Sequence, residues 1–146
     1  MLELEKDLTH ALYQISRKTT ILLNERLTEL ELYSSQFVLL NALRRIGPCT
    51  QSDLSKYLSI EPAAISNIIR RLEKGDWISK TKGTDRRKKI ISLSTKAQKN
   101  TESLDKVDQD MLSQMYQGIS LDKLQISLET LLQIEKNVIY QIKKYQ

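Results

Sequence analysis

The sequence is poor in the residues that build metal sites, disulfides and catalytic centres. It contains one histidine, His10, and one cysteine, Cys49. One cysteine cannot form an intramolecular disulfide, and the two residues supply neither a Cys/His zinc site nor the usual Cys-His nucleophilic pair. The chain also lacks G-x-S-x-G, P-loop and G-x-G-x-x-G motifs. We therefore expect no catalytic residue, no metal and no cofactor, which argues against an enzyme.

Glycine, proline and aromatic residues are also scarce. The 146 residues include four glycines, two prolines and 5% aromatics, against 40% hydrophobic and 28% charged residues. This composition favours helices over a β-sandwich, and the length suits one domain with its own core. No stretch approaches the roughly 18 consecutive apolar residues of a membrane span, and the acidic start MLELEKD differs from a signal peptide. We expect an α-rich cytoplasmic protein with one small sheet and no membrane partner.

Positive charge is concentrated in the middle of the chain. Residues 50–99 hold twelve Lys/Arg against five Asp/Glu, a net charge of +7, whereas the flanks hold eleven and thirteen, a net charge of −2. A cationic centre between slightly acidic arms is typical of a phosphate-binding module held by helices that do not bind. The cations lie in a turn-rich segment and not along one amphipathic helix, which argues against a membrane surface.

The cationic region begins with two predicted helices separated by a tight break. Thr50 can act as an N-cap with Asp53 in the first turn, and apolar spacing continues the helix to Leu58. Proline is excluded from helix interiors but suits a first turn, so Pro62 should begin a second helix. Gly75 marks the region of its C-terminal cap.

The second predicted helix has one apolar and one polar face. The apolar stripe, which we expect in the core, consists of Ile65, Ile68, Ile69 and Leu72. The opposite face and its flanks have small residues first and cations later: Ala63, Ala64, Ser66, Asn67, Arg70, Arg71 and Lys74. Small leading side chains let a helix enter a major groove, where Ser, Asn and Arg can hydrogen-bond to bases or phosphates. The alternative is an ordinary solvated face.

Two short strand-like runs follow this helix. WISKT and IISLS are joined by the loop KGTDRRKK, which has one glycine and a dense cluster of cations. Together with the two helices they predict a winged helix-turn-helix, in which this basic hairpin is the wing.

Here the sequence resembles the multiple-antibiotic-resistance regulator (MarR) family. The matching residues are Leu72-Glu73, Trp77-Ile78, Asp85-Arg86-Arg87 and Ile91-Ser92-Leu93-Ser94, with Ser35-Gln36-Phe37 and Thr50-Gln51-Ser52-Asp53-Leu54 upstream. The detailed resemblance spans residues 33–97. Gly75 stands one residue earlier than the glycine of the family pattern, Ala97 stands where a glycine is common, and the loop before Asp85 is short.

The resemblance implies a winged helix-turn-helix flanked by long N- and C-terminal dimerisation helices, mainly α with a small β-hairpin. It implies a homodimeric regulator that binds double-stranded DNA, represses from a pseudo-palindromic operator by occlusion and is relieved by a small aromatic or phenolic ligand. Residues expected to meet DNA are Gln51, Ser52, Lys56, Ala63, Ala64, Ser66, Asn67, Arg70, Arg71, Lys74, Asp85, Arg86, Arg87 and Lys88.

Different roles are expected within this set. Base reading or register is assigned to Ser66, Asn67 and Arg70, and phosphate contact to Gln51, Ser52 and Lys56. Arg87 would enter the minor groove, with its guanidinium held by a bidentate contact to the Asp85 carboxylate.

The flanks of this region predict further helices. Apolar residues at helical spacing run from Leu4 to about Leu30, and Ser34 or Ser35 can cap a helix that ends at Gly47. After the wing, one long helix should begin at Ser94 or Thr95 and end near Gly118, and Ser120 can cap the last helix.

The last helix carries an apolar seam longer than one small core needs. Its members are Leu121, Leu124, Leu128, Leu131, Val138, Ile142 and Tyr145. We expect a homodimer held by Leu4, Leu8, Leu12, Leu124, Leu128, Leu131, Val138 and Ile142. Residues 1–146 would form one domain, with 33–97 binding DNA and 1–30 and 98–146 dimerising. The alternative is a monomer whose first and last helices pair.

Three other functions stay open. Cys49 precedes a helix start, which can lower the pKa of a thiol and suggests a redox-responsive regulator. MarR-like thiol sensors, however, resemble one another in a cysteine early in the first helix, where this chain has Tyr13. A winged-helix adaptor would bind protein and no DNA. An RNA-binding winged helix is disfavoured because aromatic residues are lacking around the cationic loop.

Overall fold

The computed structural model describes residues 2–85 and 87–146, which are mainly helical with three short strands. The helices are α1 (Leu2–Arg26), α2 (Ser34–Ile46), α3 (Gln51–Leu58), α4 (Pro62–Lys74), α5 (Thr95–Lys99), α6 (Thr101–Met115) and α7 (Leu121–Lys144). The strands are β1 (Cys49–Thr50), β2 (Ile78–Lys82) and β3 (Lys89–Leu93). Two compact units result, one ending at Gln109 and the other spanning Asp110–Gln146. The fold is the predicted mainly α class with a small sheet.

The two helices predicted around the break are confirmed at both ends. The Thr50 hydroxyl accepts from the Asp53 N–H at 3.2 Å, and the Asp53 carboxylate accepts from the Thr50 N–H at 3.0 Å, which completes a capping box for α3. Pro62 is the first residue of α4, and Gly75 is its C-cap. Gly75 has φ −82°, and the left-handed conformation falls on Asp76, with φ +61°. The displaced glycine therefore places an aspartate in a conformation that glycine adopts more easily.

The core of the first unit is formed mainly by α2, α3 and α4. Ile65, Ile69 and Leu72 of α4 are buried, as predicted, and Phe37, Leu40 and Leu43 of α2 are buried with them. Ile68 is only half-buried, so it lies at the edge of the core and not within it as we expected. Burial of these apolar side chains is the main source of stability for this unit.

The sheet contains a strand that the sequence did not predict. Its order is β1-β3-β2, with antiparallel pairing throughout. β2 and β3 form the expected hairpin, in which Ile78 pairs with Leu93 and Lys82 with Lys89. β1 has only two residues and pairs Cys49 with Ile91. This pairing fixes the root of the wing against the start of α3.

Three helix boundaries differ from the predictions. α1 ends at Arg26, and one turn of 3-10 helix, Thr28–Leu30, follows. The N-cap of α2 is Tyr33, where we expected a serine, and its N–H is bonded by the Gln36 side chain at 2.8 Å. The helix after the wing is broken at Asn100, which separates α5 from α6.

The second unit is dominated by α7, which begins as predicted. Ser120 is its N-cap and accepts from the Lys123 N–H. No residue of α7 is buried, and Leu128, Val138 and Ile142 are each 52% exposed. Among the described residues no helix is both long and apolar enough to cross a membrane.

Candidate nucleic-acid interface

The polar face of α4 is available to a ligand along its length. Ala63 and Ala64 are exposed at its N-terminal end, and Asn67, Arg70 and Lys74 follow on successive turns. Arg71 is exposed beside them, and the face becomes cationic towards the C-terminus. The buried stripe on the other side anchors this face, so its side chains project from a rigid element.

The first turn of α3 is linked to α4 by one side-chain contact. The Gln51 Nε2 donates a hydrogen bond to the Ser66 hydroxyl, and both residues are half-buried. Ser52 and Lys56 are exposed on α3. The turn between the helices is closed by the Ser55 hydroxyl, which donates to the Ile60 carbonyl, and by Ser59 in a left-handed conformation with φ +53°.

The loop of the wing is ordered by the Asp85 carboxylate, but in a different way from the one expected. Asp85 accepts from the backbone N–H of Arg87 at 3.1 Å, and the Asp85 carbonyl accepts from the Lys88 N–H at 3.0 Å. No ion pair joins the Asp85 and Arg87 side chains in the described part of the loop, so the predicted bidentate contact was wrong. A carboxylate two residues back can satisfy a backbone donor more easily than it can reach a long, exposed guanidinium.

Arg87 and Lys88 are exposed at the end of this loop. Arg86, which we also expected to meet DNA, lies outside the described residues. A cleft of about 280 Å³ separates the wing from the start of α3, and it is lined by Thr50, Gln51, Ser52, Lys80, Arg87, Lys88, Lys89 and Ile91. The start of α3 and four cations thus line one concave surface, which favours anions.

The base of the wing is fixed by contacts that sequence reasoning missed. Lys96 lies over the Trp77 ring, 4.6 Å from its centroid, and donates to the Gly75 carbonyl at 2.8 Å. The Ser94 hydroxyl donates to the Asp76 carbonyl at 2.6 Å. These bonds satisfy carbonyls at the end of α4 and tie the helix exit to the segment after β3. The charge count of residues 50–99 includes Lys96, but no local pattern distinguished it from the other lysines.

Two ion pairs connect elements of the first unit. The Lys80 ammonium lies 3.4 Å from the Glu73 carboxylate and connects β2 to α4. Arg44 at the end of α2 pairs with Asp105 of α6. Arg44 thus has a partner on another helix in addition to its favourable position at a helix C-terminus.

Cys49 is buried in β1, and its surroundings disfavour the thiolate. Desolvation by burial, and then the charge of Asp53, raise the pKa of the thiol above its ordinary value. The hydrogen bonds from the Thr50 backbone and side chain lower the pKa of Asp53, so that this carboxylate stays charged beside the thiol. Burial and the like charge of Asp53 thus act against the lowered thiol pKa that the redox alternative requires.

The described residues contain no cluster of three or more His, Cys, Asp or Glu side chains able to hold a metal ion. The predicted contact residues that are described, from Gln51 to Lys88, lie on α3, α4 and the wing of the first unit. The arrangement offers hydrogen-bond donors, cations and a projecting helix, which suits binding to a polyanion.

Comparison with known proteins identifies the fold. The MarR family model matches residues 32–89. The chain is 36% identical over 98 residues to YwoH, an uncharacterized HTH-type transcriptional regulator of Bacillus subtilis, and the match covers 65% of this chain and 72% of that protein.

Solved structures agree with this match. A crystal structure of a cysteine-to-serine mutant of E. coli MarR complexed with operator DNA is 26% identical, with a TM-score of 0.77 over 87% of this chain and 91% of that one. A MarR protein from Peptoclostridium difficile is 18% identical and shares the fold, with a TM-score of 0.86 over 96% and 92% of the two chains. The chain therefore belongs to the MarR family of winged-helix transcription regulators, which are not enzymes.

Proposed function

We propose that this protein is a sequence-specific regulator that binds double-stranded DNA as a homodimer. The observation that carries the proposal is the single cationic surface formed by α4, the first turn of α3 and the wing. In each subunit α4 would enter a major groove and the wing would reach the flanking minor groove. Residues 33–97 would bind, and residues 1–30 and 98–146 would dimerise. Occupation of a pseudo-palindromic operator in the cytoplasm would repress transcription by occlusion.

The proposed contacts divide between the two helices. Asn67 and Arg70 are exposed on successive turns of α4 and would reach base edges, whereas Ser52 and Lys56 are exposed on α3 and would meet phosphates. Arg87 would enter the minor groove by charge, since no carboxylate among the described residues holds its guanidinium. Similarity to a protein whose structure contains operator DNA supports this assignment.

Dimerisation is supported by apolar side chains that a single chain leaves in water. On α1, Leu4 is 74% and Leu8 43% exposed, and Leu12 is half-buried. On α7, Leu131 is 42% exposed and Leu124 is half-buried. Contiguous apolar faces of this length mark an interaction surface in a soluble protein. A second copy would cover them with a self-complementary surface and would place two α4 helices on one duplex.

Salt dependence of binding tests whether the cationic surface meets phosphates. Fluorescence anisotropy with a labelled pool of random-sequence duplexes should give a steep log-log dependence of affinity on salt, with about −0.9 for each phosphate contact. Lys56→Ala removes one proposed phosphate contact from each subunit, two in the dimer, so the slope should become less steep by about 1.8. Lys143→Ala removes the same charge from α7, outside residues 33–97, and should keep the parent slope. If the protein is an adaptor that binds only protein, the anisotropy of the labelled duplexes should not rise at modest salt. Tighter binding to a pool of RNA than to the duplex pool would favour the RNA-binding alternative.

Relief by a small ligand is part of the proposal. The cleft between α3 and the wing is lined by Lys80, Arg87, Lys88 and Lys89, so an aromatic acid or phenolate could occupy it and compete with a phosphate. Benzoate should then lower the anisotropy more than chloride at the same ionic strength. Equal effects of the two salts would remove this ligand class from the mechanism.

A further inference from the structure

We propose that Gln51 is a specificity-determining residue, because its hydrogen bond to Ser66 decides whether the Ser66 hydroxyl donates to a base or accepts from one. The inference rests on the proposed DNA-binding function and goes beyond it. The sequence suggested that Gln51 contacts a phosphate. In this proposal Gln51 makes no phosphate contact of its own. It would act through the hydroxyl of a neighbouring residue on the helix that enters the groove.

The contact joins the first residue of α3 to the fifth residue of α4. The Gln51 Nε2 donates to the Ser66 Oγ across the helix-turn-helix. An amide nitrogen has only donor hydrogens, so the serine oxygen must accept in this bond. The hydroxyl proton of Ser66 is left for another acceptor.

That proton has no protein partner in the ranges 2–85 and 87–146. Serine in a helix often donates back to a carbonyl of the preceding turn, but no such bond from Ser66 is formed there. Ser66 is half-buried, with Asn67 exposed beside it and Arg70 exposed one turn later. The hydroxyl therefore lies at the edge of the face proposed to enter the groove, with its proton available to a base.

Gln51 is well placed to hold this direction. Its backbone begins a helix whose N-terminus is fixed by the Thr50–Asp53 capping box, and its side chain is half-buried. A side chain that is partly immobilised before binding loses less entropy on complex formation. Ser66 would thus bind the duplex as a hydrogen-bond donor, whereas a hydroxyl without this contact could either donate or accept.

A donor hydroxyl discriminates between bases in the major groove. Guanine presents the N7 and O6 acceptors and thymine presents O4, whereas cytosine presents only the N4 donor. We expect the base that faces Ser66 to be guanine or thymine, with cytosine disfavoured. One neutral hydrogen bond corresponds to about a two- to tenfold preference in affinity.

The test is a variant in which Ser66 must donate to residue 51 and can only accept from a base. In Gln51→Glu the carboxylate only accepts, so Ser66 must donate to it and its lone pairs face the duplex. Selection of bound duplexes from a random pool should then show, at one position in each half-site, a change of about two- to tenfold from guanine or thymine towards cytosine or adenine. The variant should fold, because an acidic residue in the first turn of a helix complements its dipole.

Four further variants separate this role from others. Gln51→Met fills similar space without a donor, and Ser66→Ala removes the hydroxyl; each should broaden the preference at the same position. In Gln51→Glu with Ser66→Ala the reversal should disappear, since the group that carries it is absent. Ser52→Glu adds the same charge one residue away, and it should weaken binding to all sequences without changing any preference.

The outcomes distinguish this inference from the proposed function. If the parent protein enriches no sequence, the sequence-specific function fails, and the inference fails with it. If the parent enriches a site and Gln51→Glu yields the same preferences with lower affinity, the function stands and the role of Gln51 is refuted. A reversal that persists in the double variant would also refute it, because Ser66 would not then be the group that reads the base.

Discussion

The two units of the protein bury their apolar residues in different ways. In the unit that ends at Gln109, Leu54, Ile65 and Leu72 are fully buried by their own chain. In the unit that spans Asp110–Gln146, α7 has no buried residue although its apolar seam is longer. The winged-helix unit therefore has a core without a partner, whereas α7 requires another surface before its apolar side chains leave water.

This difference separates the source of stability from the source of assembly. A substitution in the winged-helix core should change the free energy of unfolding at any protein concentration. A substitution on the seam of α7 should change association, and its effect on stability should depend on concentration.

The largest effect should come from Leu128→Asp on the seam of α7. A charge buried in an interface without a partner costs about 3–5 kcal/mol, and a symmetric dimer contains the substitution twice. We expect a monomer at micromolar concentration by light scattering. Gln133→Asp places the same charge on the other side of the helix and should remain dimeric. A parent protein that is itself monomeric would show that the seam does not associate with a second copy.

The next effect should come from Leu54→Ala in the core of the winged-helix unit. Leu54 is 0% exposed, and removal of a fully buried leucine side chain costs about 2–5 kcal/mol. Chemical denaturation should show this loss at every protein concentration. Leu131→Ala on α7 is the matched control, and its loss should fall as the protein is diluted. Equal concentration dependence of the two variants would contradict the division between core and interface.

A smaller effect is expected at the wing. Arg87→Ala should weaken binding to a selected duplex by about 1–3 kcal/mol, the scale of one good groove contact. Asp85→Ala should weaken it by about 0.5–1.5 kcal/mol relative to Asp85→Asn, because asparagine still accepts from the Arg87 backbone N–H. Both Asp85 variants lose the same charge, so their difference measured by anisotropy isolates the backbone bond. If Asn and Ala weaken binding equally, the loop is not ordered by that bond.

The smallest effect is expected at Cys49. Because burial and Asp53 raise the pKa of the thiol, less thiolate is present at neutral pH than for a free cysteine, and the rate of attack on peroxide falls with it. Cys49→Ala should bind DNA like the parent protein before and after mild peroxide. Alkylation of Cys49 should be slow in the folded protein and fast in denaturant. A response to peroxide that Cys49→Ala abolishes would support the redox alternative.

Local signals explain which parts of the fold could be predicted from sequence. α3 and α4 were placed correctly because Thr50, Asp53 and Pro62 act within one turn of the boundaries that they set. β1 was missed because a two-residue strand has no periodicity, and it exists only through pairing with Ile91. The break at Asn100 was missed because the apolar spacing continues across it.

The same contrast between local signals and tertiary contacts applies to the candidate site. The exposed faces of α4 and the wing were predicted because burial of the opposite stripe and the loop composition are visible in the sequence. Contacts between distant residues were not: Lys96 reaches Trp77 and Gly75, and Gln51 reaches Ser66 across fifteen residues. Such partners depend on tertiary packing, which no local pattern encodes. The predicted contact between the Asp85 carboxylate and the Arg87 guanidinium was wrong for a related reason. The carboxylate accepts from the backbone N–H of Arg87 instead.

Selection of bound duplexes from a random pool by the 146-residue chain tests whether two copies bind one operator. Two copies that present α4 and the wing about a twofold axis should enrich one pseudo-palindromic site, with half-sites spaced by about one helical turn, 10–10.5 base pairs. The mass of the complex on that site should correspond to two chains. Enrichment of an asymmetric site bound by one chain would contradict binding as a homodimer. Enrichment of no site would contradict sequence-specific binding.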